Sequence, residues 1–203
     1  IVPNQGAWNL KDKRVETGCS INSWAVVVLG RAAESEVRAF VQELVVTCQD
    51  TGVSFTSSAS KQPPILNGNP ATAAQTCKSA FTKAQEVFGA PPQFLLMMLQ
   101  SSESRIYGEV KLVCDTQLGI PSQCMLMKHA RRPNKQYCAN ICLKINLKLG
   151  GVNLVLGSQL GFVAQRPTMV LGADVTHPGI GENDRPSIAA LVASYDIKMS
   201  RYG

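Results

Sequence analysis

Short apolar runs alternate with amphipathic stretches along most of this chain, and this alternation restricts the fold more than any other feature. The apolar runs occupy residues 24–30, 93–99 and 123–127. The amphipathic stretches cover 37–51, 72–88, 106–114 and 135–149, and most end near a glycine. Strands that alternate with helices in this way predict an α/β fold, with a parallel sheet flanked by helices. Ligands bind such sheets beyond the carboxyl ends of the strands, which here are the loops 100–106 and 128–134.

The pattern changes after the glycines at 150 and 151. Strand-like runs cover 152–156, 168–175 and 187–196, and a Pro/Gly/Asp-rich turn covers 178–186. These runs predict the first hairpin of a second, mixed α/β domain. Two further segments are predicted to be irregular: a linker or opening hairpin at 1–20 and a loop at 57–70.

The chain begins at Ile1 without an initiator Met or a signal peptide and stops after a strand-like run, so we expect a fragment of a longer protein. It contains no run of 18 apolar residues, so we expect no membrane-spanning helix and no membrane partner. Its seven cysteines form no C-x-x-C pair and lack histidines at zinc-ligand spacing. They indicate reduced thiols in an intracellular, cytoplasmic protein.

The net charge of +6 comes from one part of the chain. Residues 105–148 hold eight basic and two acidic side chains, whereas the remainder holds twelve of each. A concentrated basic segment indicates an anionic partner, with nucleic acid the leading candidate. An ordinary solvated basic face is the alternative.

Within this segment, two helices each present a pair of residues four positions apart. Tyr107 and Lys111 share one helix face, and Lys144 and Lys148 share another. Gln123 and Cys124 begin the intervening strand. If the helices are neighbours, three ammonium groups converge, and a phosphate monoester would relieve their repulsion while the aromatic ring stacks on a base. Unrelated lysines on two exposed helix faces would give the same spacing.

An enzyme that uses a nucleotide cofactor is a weaker hypothesis. The chain has neither a phosphate-binding G-x-x-x-x-G-K-[ST] loop nor a G-x-S-x-G elbow, and the Gly-Ile-Gly at 179–181 leads into a turn. Asp174, at the end of an apolar run, could bind a metal, but a two-metal site needs several carboxylates. A domain whose basic face binds an acidic protein is a third hypothesis, and it would bind RNA without regard to a 5′ phosphate.

Several segments resemble eukaryotic Argonautes. The segment 172–178, Gly-Ala-Asp-Val-Thr-His-Pro, resembles the opening of the PIWI domain. The segments 107–111, 123–124 and 143–151 resemble the guide-binding motifs of the MID domain, and 3–10 resembles the linker before it. Cys114 and the loop 101–105 are closest to a filamentous-fungal Argonaute of the quelling type.

This resemblance implies a linker at 1–20, a Rossmann-like MID domain at 21–151, and the first strands of an RNase H-like PIWI domain at 152–203. It also implies that the chain binds the 5′-phosphorylated end of a small guide RNA in RNA silencing. The missing remainder of the PIWI domain would be a partner in the parent protein.

The resemblance assigns a role to each candidate residue. Tyr107 stacks on the first base, and the phosphate is bound by Lys111, Gln123, Lys148 and Cys124, with Lys144 beside them. The edge of the first base, a uridine by analogy with the family, faces Ser101, Ser102, Glu103, Ser104 and Arg105. Asp174 is the first carboxylate of an incomplete slicer site, which would hold Mg²⁺ in the parent. This chain is therefore expected to need no cofactor and to have no nuclease activity.

Overall fold

The computed structural model describes residues 2–5, 13–55, 62–158, 160–179 and 186–203, without the side chain of Ala164. These residues form two compact units. The larger unit runs from Asp12 to Asn153, and the smaller combines Ile1–Lys11 with Leu154–Gly203. Among the described residues no helix is long and apolar enough to cross a membrane.

The larger unit is built on a parallel sheet. Its elements, in chain order, are β1 (Ser20–Ile21), β2 (Trp24–Leu29), α1 (Glu34–Thr51), β3 (Ser54–Phe55), β4 (Ile65–Gly68), α2 (Ala73–Phe88), β5 (Phe94–Leu99), α3 (Ser104–Leu112), β6 (Ser122–Leu126) and α4 (Lys135–Lys148). Four strands form one sheet in the order β4-β2-β5-β6, all parallel, and β1 pairs with β3 in a separate parallel pair. The predicted α/β fold is confirmed.

Both faces of this sheet are covered by helices. Alternate residues of β2 and β5 pack with α1 and α4 on one face, and the others pack with α2 and α3 on the opposite face. Every side chain of both strands is buried. This explains why the strands have uninterrupted apolar sequences instead of an alternating pattern.

Two predictions of local structure are wrong. The predicted loop 57–70 contains β4, a strand without a β-branched run, which forms because its backbone pairs with β2. Residues 57–61 of that loop lie outside the described part. The predicted strand at 152–156 is reduced to one bridge, between Val152 and Thr17.

The helix predicted at 106–114 is longer than its apolar pattern indicates. After α3, the chain continues through a π-helical turn, Val113–Leu118, and ends at Gly119, whose φ is +65°. Glycine adopts this left-handed conformation without a side-chain clash. The turn delivers the chain to Ser122, the first residue of β6, beside the last turn of α3.

A buried asparagine ties both ends of the larger unit together. Asn146 of α4 is fully buried. Its Oδ1 accepts from the Cys19 N–H at 2.8 Å, and its Nδ2 donates to Thr17 O at 3.1 Å and to Asn153 Oδ1 at 2.9 Å. Asn153 Nδ2 in turn donates to Leu143 O at 2.9 Å. The segment before β1 is thereby joined to α4.

The smaller unit contains α5 (Gly161–Gln165) and an antiparallel hairpin of β7 (Leu171–Thr176) and β8 (Ile188–Ala193). This agrees with the predicted hairpin, although residues 180–185 of its turn lie outside the described part. The apolar side chains Leu171, Ile188 and Leu191 are all exposed. The hairpin therefore contributes little buried apolar surface within the described part of this unit.

Replacing Asn146 by alanine is expected to lower the free energy of unfolding by about 2 kcal/mol, because the Cys19 N–H loses its buried partner. Asn140→Ala on the same helix is the matched control, since Asn140 is exposed and accepts one long hydrogen bond from Gln136. Urea denaturation measures both variants. Equal midpoints for the two variants would contradict the role assigned to Asn146.

Candidate nucleic-acid interface

Two lysines from different helices meet at the first residue of β6. Lys148 Nζ donates to Ser122 O at 2.7 Å and to Gln123 Oε1 at 2.9 Å. Lys111 Nζ donates to Ser122 Oγ at 3.2 Å. Together with Cys124, these residues are called the lysine pocket below. The structure thus brings together four of the predicted phosphate-binding residues.

The position of β6 explains how the two helices meet. β6 is an edge strand, and it contacts both α3 and α4. Each helix follows a parallel strand and runs back along the sheet, so its last turn lies near the amino ends of the strands. Lys111 lies in the last turn of α3, just before the π-helical turn, and Lys148 lies in the last turn of α4. At the end of α4 the negative end of the helix dipole favours a cation by about 0.3–1 kcal/mol.

The lysine pocket nevertheless disfavours its own positive charge. Burial lowers the pKa of Lys148, and the charge of Lys111 lowers it further, with a smaller effect from Lys144 in the same direction. The negative charge of Asp115 acts in the opposite direction. An anion placed between the ammonium groups would reverse the effect of their repulsion.

Lys144 takes a different position from the other two lysines. It is exposed on α4, and no hydrogen bond or ion pair of its side chain occurs within the described ranges. Its positive charge acts on Lys148 over a distance. Two of the three predicted lysines therefore converge, and the third adds to the local potential.

Sequence reasoning did not identify Ser122 or Asp115. Asp115 Oδ2 lies 3.5 Å from Lys111 Nζ, and its position four residues after that lysine on a helix was a usable signal. Ser122 has no such signal. Its fully buried backbone and hydroxyl receive both ammonium groups because of where β6 begins.

Gln123 and Cys124 complete the lysine pocket with neutral groups. Gln123 is 5% exposed, and its Nε2 donates to Cys124 O at 2.8 Å, which turns Oε1 towards Lys148. Burial raises the pKa of Cys124 to about 11, although Lys111 and Lys148 lower it. The thiol is therefore protonated at neutral pH, so it adds no negative charge and offers a weak S–H donor.

The predicted base-binding residues lie nearer the start of α3. Tyr107 is 48% exposed and precedes Lys111 by one turn, so its ring is open for stacking. The five residues of the predicted loop, 101–105, are all exposed and follow the carboxyl end of β5. Arg105 Nε lies 3.3 Å from Glu103 Oε1 within that loop.

The lysine pocket lies at the opposite edge of the sheet from the two loops that were expected to bind a ligand. Ser122 is the amino end of β6, and the loop 128–134 follows the opposite end. The reason is that Lys111 and Lys148 lie in the last turns of α3 and α4, and these helices run back along the sheet. The carboxyl-edge rule describes loops that follow strands, which here include only the loop 101–105 among the predicted site residues.

Asp174 does not form a metal site with the residues described. It is exposed on β7, and its Oδ1 accepts from the Val175 N–H at 2.9 Å. Within the described ranges, no three His, Cys, Asp or Glu side chains are grouped so that they could hold a metal ion. One carboxylate cannot hold the ions of a two-metal centre, so these residues do not fit the Mg²⁺ that the resemblance implies for the parent.

The reactivity of Cys124 should report the charge of the lysine pocket. With a pKa of about 11, its alkylation by iodoacetamide is expected to accelerate about tenfold per pH unit between pH 7 and 10, since the thiolate reacts. Lys111→Met, which removes a charge that lowers this pKa, should slow alkylation at every pH in that range. Peptide mass spectrometry measures the rate, with Lys83→Met as the control. An unchanged rate in Lys111→Met would show that Lys111 is not electrostatically coupled to the thiol.

Known protein families and individual proteins share the sequence pattern of this chain. A model of the Piwi domain matches residues 94–203, and a model of the Mid domain of argonaute matches residues 2–63. Protein argonaute PNH1 of Oryza sativa subsp. japonica is 40% identical over 203 residues, which are 96% of this chain and 20% of that protein. Protein argonaute of Schizosaccharomyces pombe is 37% identical over 206 residues, 98% of this chain and 24% of that protein. The chain thus spans about a fifth to a quarter of these relatives.

Solved structures show the same similarity. The MID-PIWI domains of N. crassa QDE-2 superpose with a TM-score of 0.70 at 26% identity, covering 93% of this chain and 52% of that one. Kluyveromyces polysporus Argonaute with a guide RNA gives a TM-score of 0.67 at 25% identity, covering 96% and 24%. The Arabidopsis thaliana AGO5 MID domain gives 0.60 at 30% identity, covering 70% and 99%. These matches agree with the parallel sheet flanked by helices.

Proposed function

This chain belongs to the eukaryotic Argonaute family, of which it spans the MID region and part of the PIWI region, and we propose that it binds the 5′-phosphorylated end of a small guide RNA in RNA silencing. The observation that carries the proposal is the meeting of Lys111 Nζ and Lys148 Nζ on one residue, Ser122, at 3.2 and 2.7 Å. The solved structure of Kluyveromyces polysporus Argonaute contains a guide RNA.

The chemistry of the lysine pocket favours a terminal phosphate over an internal one. A phosphate monoester carries a charge of about −1.5 to −2 and offers three acceptor oxygens. Lys111 and Lys148 supply ammonium donors, and Cys124 supplies a neutral S–H. An internal phosphodiester has a single negative charge and would leave more of the ammonium repulsion in place. The pocket therefore selects the end of a strand by charge as well as by hydrogen bonding.

The first base would lie against Tyr107. Its ring is exposed one turn before Lys111, so a nucleotide whose phosphate contacts Lys111 can stack its base on this ring, a contact worth about 1–3 kcal/mol. The exposed loop 101–105 then faces the base edge and sets which base is preferred, with uridine proposed by analogy with the family. Lys144 adds charge near the following phosphates.

The finer identity is also part of the proposal. We assign the chain to the filamentous-fungal, quelling-type Argonautes on the basis of Cys114 and the loop 101–105. The similarity to the N. crassa QDE-2 structure is compatible with this assignment, and the plant and S. pombe relatives support only the wider family. A cytoplasmic location is proposed from its free cysteines, seven of seven, and the rest of the PIWI domain is proposed as a partner.

Binding of one short RNA with a 5′ phosphate or a 5′ hydroxyl tests this function. The unsubstituted chain should prefer the RNA with a 5′ phosphate. Lys111→Ala should lose at least about tenfold in affinity for this RNA, because one charge-assisted hydrogen bond contributes about 1.5–3 kcal/mol. Its affinity for the hydroxyl RNA should change little.

Lys83→Ala is the matched control, because Lys83 is an exposed lysine that pairs with Glu86 on α2. Fluorescence anisotropy gives the dissociation constants. If the unsubstituted chain binds both RNAs equally, the lysine pocket is not a 5′-phosphate site.

We also propose that this chain has no nuclease activity and needs no cofactor, with Mg²⁺ required in the parent protein. Incubation with a guide, a paired target and Mg²⁺ should leave the target intact, because Asp174 is a single exposed carboxylate. Gel electrophoresis of labelled target measures the result. Mg²⁺-dependent cleavage that disappears in Asp174→Ala would refute this part of the proposal.

A further inference from the structure

Six of the eight basic side chains of 105–148 form two separate groups in the structure. The lysine pocket lies at the amino end of β6, and a second group follows the carboxyl end of the same strand. This carboxyl-edge cluster consists of Lys128, Arg131, Arg132 and Lys135. β6 has five residues, so at 3.3 Å per residue its ends are about 13 Å apart. Charges at that distance are largely screened at physiological salt, where the Debye length is about 8 Å.

The carboxyl-edge cluster has little compensating negative charge. All four side chains are exposed, and within the described ranges their one ion pair joins Arg131 Nε to Glu36 Oε2 at 4.0 Å. The first turn of α4 contains no acidic residue, although the dipole of that helix favours negative charge there. Four cations therefore stand where the protein's own field already favours an anion.

An aromatic pair lies within this cluster. The rings of His129 and Tyr137 stack with centroids 4.0 Å apart and planes 17° apart, and both residues are partly exposed. Each ring covers one face of the other, and Tyr137 also packs against the buried Phe40, so the outer face of His129 is the one left for an unpaired base to stack on. The guanidinium groups of Arg131 and Arg132 match the geometry of phosphate oxygens.

We infer that the carboxyl-edge cluster binds the sugar-phosphate backbone of single-stranded RNA, with no requirement for a 5′ phosphate. The inference does not depend on the function proposed for the lysine pocket, because the two groups share no residue and are separated by the length of β6. The chain would therefore contact RNA at two places with different chemistry: a strand end at one and internal phosphates at the other.

The test compares two double variants that each remove two exposed positive charges. R131A/R132A changes the carboxyl-edge cluster, and K78A/K83A changes the outer face of α2. Anisotropy titration of a short 5′-hydroxyl RNA measures the affinity of each 203-residue variant. R131A/R132A should weaken binding about 25-fold at 0.1 M salt and reduce the salt slope by about 1.4, since each neutralised phosphate contributes about 0.7. K78A/K83A should change binding less than about twofold.

Binding of a nucleoside 5′-monophosphate separates the two sites. R131A/R132A should leave it unchanged, whereas Lys111→Ala should weaken it if the lysine pocket is a phosphate site. If the chain still binds 5′-hydroxyl RNA while saturating monophosphate occupies the lysine pocket, the carboxyl-edge cluster binds a separate RNA strand without help from that pocket. Affinity that increases with the length of a 5′-phosphorylated RNA, and decreases in R131A/R132A, would show that one strand reaches both sites.

Three outcomes would overturn the inference. They are no measurable binding of 5′-hydroxyl RNA by the unsubstituted chain, equal losses of RNA affinity in R131A/R132A and K78A/K83A, or loss of monophosphate binding in R131A/R132A. Thermal unfolding monitors the fold of each variant. K128A/K135A, which leaves the contact between Arg131 and Glu36 intact, gives a second variant that should show the same loss of RNA affinity.

Discussion

Both faces of the parallel sheet must be covered, because its two central strands, β2 and β5, have no polar side chain to present to water. Parallel strands also need a crossover between each pair, and a helix that runs back along the sheet meets both requirements. The larger unit therefore has helices on both faces, and each helix ends at the edge of the sheet from which the next strand starts. The site depends on this return path.

The lysine pocket follows from it directly. α3 and α4 lie on opposite faces of the sheet, yet both contact β6, the edge strand. Their last turns bring Lys111 and Lys148 to the same serine. The dipole of α4 favours the charge of Lys148, whereas burial and repulsion from Lys111 lower the pKa of Lys148. An anion between the two ammonium groups would make the arrangement more favourable.

The same topology divides the basic segment. Helices deliver lysines to the amino ends of the strands, and loops that follow strands deliver Lys128, Arg131 and Arg132 to the carboxyl end of β6. The one basic segment of the sequence therefore forms two positively charged surfaces, the lysine pocket and the carboxyl-edge cluster. In the smaller unit, by contrast, β7 and β8 form a hairpin whose apolar side chains are exposed. Asp174, within β7, belongs to no metal-binding group among the described residues.

Much of this protein was readable from the order of its residues. Apolar strand runs and helix periodicity depend on local sequence, so the parallel α/β fold, the positions of α1, α2 and α4, and the hairpin of the smaller unit could be predicted. The pairs Tyr107/Lys111 and Lys144/Lys148 could be placed on helix faces because four residues make about one turn. The resemblance to Argonautes was carried by short contiguous motifs.

Tertiary structure decided what no local pattern encodes. β4 is a strand because β2 offers it a backbone to pair with, whereas the run at 152–156 is reduced to a bridge between Val152 and Thr17. Ser122 receives two ammonium groups, and Lys144 is left outside, because of where β6 begins and how the helices return. The sequence by itself determined which residues could form strands, helices and cationic faces, since these depend on neighbours along the chain. Only the folded chain decided which of those faces meet, since that depends on backbone pairing and packing between segments far apart in sequence.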